Sequence, residues 1–106
     1  MDPHSERPVL AVLGGSFNPP HVAHVLIPTY LLSRGLAARV LVAPCHAHAL
    51  GKALPPFETR LAWTRAAMRV HGDTVVVSDI ERRLAEEAGD PDHPSYTLDL
   101  LRAVAA

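Results

Sequence analysis

The sequence predicts an α/β fold in which three parallel strands alternate with helices. Two observations predict it. Residues 9–13, 40–43 and 74–77 are short, nearly continuous apolar runs, the pattern of strands covered on both faces. The segments between them carry helical spacing and are long enough for crossovers that bring each strand back parallel to the last. Right-handed crossovers of this kind build half of a doubly wound sheet.

Each element has its own signal. The first run, residues 9–13, stops at Gly14 and Gly15 and reads as buried on both faces. After a turn rich in Gly, Ser, Asn and Pro, residues 20–33 read as a helix with Gly35 as its stop. Pro28 lies inside that helix, removes one backbone donor and predicts a kink or a local adjustment. Pro44 closes the second strand, and residues 45–56, with Gly51 and the pair Pro55-Pro56, read as a loop. Residues 57–70 form a second helix with Phe57, Leu61, Thr64 and Met68 on one face and Gly72 past its end. The third strand is 74–77, followed by a short helix at 80–87, a loop at 89–94 and a final helix from Ser95 or Tyr96 to residue 104. Residues 1–8 are a flexible N-terminal segment, and 9–106 form one incomplete domain. By residue type, Trp63 and Met68 are assigned to the core and Cys45 to a small buried hydrophobe. Glu81 is assigned as a solvated helix-start charge, and His46 and His48 as loop residues facing water.

Composition narrows the function classes. A chain of 106 residues suffices for one small domain, and 48% hydrophobic content is globular rather than disordered. A formal net charge of -1, with Lys and Arg dispersed along the chain, points to no nucleic acid and no membrane as partners. The single cysteine, Cys45, allows no internal disulfide and suits a reducing compartment. No apolar run has transmembrane length and the start lacks a signal-peptide core, so the expectation is a cytoplasmic protein.

The chemistry concentrates in residues 14–24, GGSFNPPHVAH, where the first strand hands over to the first helix. Ligands of open α/β sheets lie at this carboxyl end of the strands. Gly14 and Gly15 let backbone N–H groups approach phosphate oxygens, Ser16 adds a hydroxyl, and the helix start adds about half a positive charge. Pro19 and Pro20 stiffen the lead into the helix where a missing N–H does little harm. His21 and His24, three residues apart on the first turn, share one face and can both donate to phosphate oxygens. Close phosphates favour their protonated form near neutral pH. No base-activated nucleophile stands beside them, so the arrangement suits charge developing on a pyrophosphate leaving group rather than covalent attack.

These residues resemble the G-x-F-x-P-x-H-x-G-H signature of the adenylyl- and cytidylyltransferase superfamily, with Phe17, Pro19, His21 and His24 in register and Ala23 in place of the usual glycine. Residues 78–81 (SDIE) and 95–97 (SYT) resemble paired motifs of the nicotinate-nucleotide adenylyltransferases, in which Ser-Tyr-Thr helps hold the nicotinate ring. The resemblance runs from Val9 onward. It implies a Rossmann-like doubly wound parallel sheet, of which this chain is the N-terminal half with the C-terminal half missing. It also implies adenylyl transfer from ATP, with Mg²⁺, to nicotinate mononucleotide, giving the dinucleotide and pyrophosphate in NAD biosynthesis. By the same resemblance the nucleotide-binding residues are Gly14, Gly15, Ser16, Phe17, His21, His24 and Lys52. His21, His24 and Lys52 carry the catalytic role, while Tyr96 and Thr97 bind the pyridine substrate.

Other readings compete. The family's later Ser/Thr- and Arg-bearing phosphate motif has no counterpart in these 106 residues, which favours a catalytically incomplete nucleotide-binding or interaction module. A related transferase with another phosphorylated acceptor, such as a phosphopantetheine or polyol phosphate, is a third. Zinc could pair His21 and His24 with Cys45, His46 or His48, but i,i+3 histidines without the H-E-x-x-H glutamate are a weak zinc pattern, and no metal site is assigned. A half-sheet leaves a face or edge of its central strand uncovered and predicts self-association.

Overall fold

The computed structural model describes residues 8–46, 53–89 and 97–105. Three strands, β1 (Leu10–Gly15), β2 (Arg39–Pro44) and β3 (Val75–Val77), form a parallel sheet in the order β1-β2-β3. Leu13 lies opposite Val42, which in turn lies opposite Val77. Helices α1 (Val22–Ser33) and α2 (Phe57–Met68) connect the strands, and α3 (Ile80–Glu87) and α4 (Thr97–Ala105) follow them. A short 3-10 segment, Arg69–Thr74, links α2 to β3 and turns at Gly72, where φ is 63°. The Rossmann-like α/β expectation is borne out, and the predicted bounds of α3 match those observed.

The strand pleat sorts side chains to two faces. Val40, Val42 and Val75 point to the face covered by α1 and α2, where they pack with Phe17 and Met68, supported by Leu31 and Leu32. On the other face Leu100 of α4 lies over Gly14 at the carboxyl end of the strands. The amino end of the sheet holds an apolar groove of about 460 Å³ lined by Val9, Leu10, Leu41 and Val76, at the opposite end of β1 from Gly14 and Gly15.

Two expectations change. The run beginning at Val9 reads as a doubly buried strand, yet β1 has no buried residue and Leu10 is 50% exposed. Among the described residues β1 pairs on one side only, so its apolar side chains lack a neighbouring strand. The central strand is the well-covered one, with Val40 and Val42 fully buried. Uncovered apolar surface therefore falls on the β1 edge and on the outer face of α1, at Val22, Leu26, Ile27 and Tyr30.

Pro28 proves compatible with a continuous α1, and it is that helix's one buried residue. The Val25 carbonyl, one turn before it, accepts from Thr29 Oγ1 at 2.9 Å and from His71 Nε2 at 3.0 Å. His71 thus ties the 3-10 segment to the middle of α1. His71→Ala removes one side-chain bond to a carbonyl and is expected to cost about 1 kcal/mol, seen as a Tm lower by roughly 4–8 °C; an unchanged Tm would mean the tie contributes nothing. The helix ends as the sequence predicts: Gly35 adopts φ 69°, while Leu36 N–H reaches Leu31 O and Gly35 N–H reaches Leu32 O.

Candidate active site

Gly14 and Gly15 end β1, and the turn that follows is tied to β2 by the Cys45 N–H donating to Gly15 O at 2.8 Å. Phe17 adopts φ 49°, a left-handed conformation rare for a bulky residue, and its ring is 1% exposed. The ring belongs to the core, so what Phe17 can offer a nucleotide is its backbone. A methyl group at Gly15 would meet the Phe17 ring at 3.4–3.8 Å, and one at Gly14 would meet Leu100 at 3.7 Å, both ordinary contacts. The fold therefore has room for alanine at both positions.

The Asn18–Pro19 bond is cis, and His21 is the extended N-cap of α1. The imidazoles of His21 and His24 stack with centroids 3.9 Å apart, as the i,i+3 spacing predicts, and the His24 ring also leans on Phe17 at 4.6 Å. His24 Nδ1 accepts the His21 backbone N–H at 3.0 Å, the part a glutamate plays in a capping box. That bond leaves the proton of a neutral imidazole on Nε2. Burial first, and the neighbouring His21 second, hold the His24 pKa below its usual 6.5. The first turn of α1 holds no acidic residue, and Ala23 is exposed on it. An N-terminus with unsatisfied N–H groups, two imidazoles and no carboxylate favours an anion.

A residue the sequence reading passed over underlies this turn. Arg60 on α2 is fully buried. Its Nε donates to Pro55 O at 3.0 Å, Nη1 to Ser16 O at 3.0 Å and to Cys45 O at 2.6 Å, and Nη2 to His46 O at 3.2 Å. Burial lowers its pKa from the ordinary arginine value, but a guanidinium stays charged at neutral pH. One signal could have found it: positions 57, 60, 61 and 64 share a helix face, and an arginine among core positions must have partners inside.

Other assignments also shift. Trp63 is 41% exposed rather than core, and Glu81 is 5% exposed rather than solvated. His46 is half-buried with its ring 5.4 Å from Phe57, not facing water. Cys45 is intermediate in exposure, with its thiol 3.7 Å from Ser16 Oγ. Ser78 Oγ accepts the Ile80 N–H at 3.2 Å, and Asp79 pairs with Arg82 and Arg83, which places the start of the SDIE motif at the carboxyl end of β3. The β1 and β3 ends of both motifs thus share one end of the sheet. Thr97 opens α4, but its side chain, together with His48, Lys52, Ser95 and Tyr96 and the N-terminal residues 1–7, lies outside the described residues. Among the described residues no three His, Cys, Asp or Glu side chains gather as a metal site, and no helix is long and apolar enough to cross a membrane.

No protein-family model matches the chain. Among curated proteins it is 43% identical over 83 residues to the "Probable nicotinate-nucleotide adenylyltransferase" of Anaeromyxobacter dehalogenans strain 2CP-C, covering 77% of this chain and 42% of that protein. A protein of the same name from Myxococcus xanthus is 34% identical over 97 residues, covering 92% of this chain and 47% of its own length. The chain thus spans a little under half the length of these relatives. In fold it matches the structure of Plasmodium falciparum nicotinic acid mononucleotide adenylyltransferase complexed with NaAD, with a TM-score of 0.73 and 19% identity over 91% of this chain and 44% of that one.

Proposed function

The chain belongs to the nicotinate-nucleotide adenylyltransferase family, and from that premise we propose that it forms the triphosphate-binding part of an enzyme of NAD biosynthesis. The reaction joins a phosphate oxygen of nicotinate mononucleotide to the α-phosphorus of ATP while the bond to the β-phosphate breaks and pyrophosphate leaves. The observation that carries this reading is the stacked pair His21 and His24 on an acid-free helix start at the carboxyl end of β1. Their N–H groups, with the backbone of residues 14–17, would hold the β- and γ-phosphates and stabilise the charge that leaves with them. Lys52 would add a cation to the same phosphates, and Tyr96 and Thr97 would contact the pyridine ring. Mg²⁺ would enter with ATP, where it would offset phosphate charge without needing a dedicated protein cage. The cytoplasm is the proposed compartment, consistent with the single cysteine.

Calorimetric titration of the chain with ATP·Mg²⁺ tests the site. Binding is expected, and His21→Ala, which removes one exposed donor, is expected to weaken it about tenfold; equal affinity in the variant would refute the assignment. A second reading, a nucleotide-binding module without turnover of its own, is favoured by the apolar residues left exposed on β1 and α1. Pyrophosphate release on adding nicotinate mononucleotide separates the two, since binding without release leaves the module. Release with a different phosphorylated acceptor would instead favour a related transferase.

A further inference from the structure

Arg60 is set apart from the other arginines by what it holds. It donates to four neutral backbone carbonyls from three separate segments: Ser16 in the turn after β1, Cys45 and His46 after β2, and Pro55 before α2. The ion pairs among the described residues join Arg82 to Glu58 and Asp79, and Arg83 to Asp79; Arg60 takes part in none of them. A positive charge therefore sits beneath the turn, held by main-chain carbonyls with the Cys45 thiol and, at 5.5 Å, the Phe57 ring beside it, and paired with no carboxylate among the described residues.

The bond to Ser16 has a directional consequence. In a trans peptide unit the C=O of one residue and the N–H of the next point opposite ways. The cis bond of this turn is Asn18–Pro19, so the Ser16–Phe17 unit is trans. With Ser16 O drawn onto Arg60, the Phe17 N–H points away from the buried guanidinium. Among the described residues that N–H has no acceptor. Phe17 stays in its left-handed conformation with its ring in the core, so the peptide unit is fixed at both ends.

We infer that Arg60 is a positioning residue for polyphosphate: it orients the Ser16–Phe17 peptide so that the Phe17 N–H donates to a phosphate oxygen, and it adds positive charge under that oxygen. The inference rests on the reading of this turn as a phosphate site. A lysine keeps the charge but cannot fan out to Ser16, Cys45, His46 and Pro55 together.

The test uses the 106-residue chain with pyrophosphate as probe, followed by calorimetry and by the backbone amide spectrum. In the wild type the Phe17 amide is expected to move downfield on saturation. Arg60→Lys and Arg60→Met, compared at a temperature where circular dichroism shows each folded, are expected to bind about tenfold or more weakly and to lose the Phe17 shift. Arg60→Lys should retain more affinity than Arg60→Met. Folded variants with wild-type affinity, or a Phe17 amide that stays put while the wild type binds, overturn the inference and leave the phosphate site standing. No binding by the wild type overturns the site and the inference together. Should neither variant fold, the wild-type Phe17 amide decides by itself.

Discussion

Phe17→Ala is expected to remove about 3–5 kcal/mol of folding stability, a large share of the roughly 5–15 kcal/mol that holds a domain together. The ring is 1% exposed and packs with Val40, Val42, Met68 and Val75, so truncation opens a cavity between the sheet and its two covering helices. The backbone adds a second effect. At φ 49° an alanine keeps the left-handed penalty of about 1 kcal/mol without the packing that offsets it, whereas a glycine is relieved of it. Phe17→Gly, ordinarily the worse substitution, is therefore expected to be no less stable than Phe17→Ala. Urea denaturation checks both: the midpoint should fall at constant slope. A loss below about 1 kcal/mol in Phe17→Ala would place the ring outside the core.

That dual role also shows what could be read from the chain alone. The three strands were legible as short apolar runs, the first two closed by Gly14 and Pro44, and the turn after β1 because its residue types sit in fixed register. The corrections at Trp63 and Glu81 have one cause, which is that residue type was weighed above position. Counting 100° per residue from Leu61 puts Trp63 on the far side of α2 and Arg60 on the core side, as observed. The exposure of β1 was illegible for a different reason. An apolar run shows that a strand can be covered, and only the strand order decides whether a neighbour lies on each side. The Arg60 clamp was hidden because its acceptors are main-chain carbonyls from three segments, which leave no trace in side-chain pattern. Of the proposed site, then, the phosphate donors could be read directly, while the residue supporting them required the packing.

His24→Ala is expected to cost more than His21→Ala, about a hundredfold in ATP·Mg²⁺ affinity, because His24 works in two directions. Its Nδ1 satisfies the His21 N–H at the helix start, while its Nε2 carries the proton of the neutral ring. The protonation chemistry gives a sharper test. Burial and His21 depress its pKa, so the native chain binds fewer protons at mildly acidic pH than the unfolded chain does. Its contribution to stability is full above about 6.5 and is lost as pH falls through the lower native value, a slope that His24→Gln should flatten. Phosphate works the other way. A unit charge pair at 4 Å is worth about 4 kcal/mol at an effective dielectric of 20; even halved by solvent at this half-buried ring it exceeds the ~1 kcal/mol of the Nδ1 hydrogen bond. Bound phosphate should therefore raise the His24 pKa, and binding should take up a proton. Affinity should then strengthen as pH falls toward the usual histidine value. Calorimetry in two buffers of different ionisation enthalpy measures that proton, and comparison with His24→Gln subtracts the titration of ATP itself. Identical buffer dependence in the two proteins would show that His24 stays neutral against the phosphates and acts as a plain Nε2–H donor.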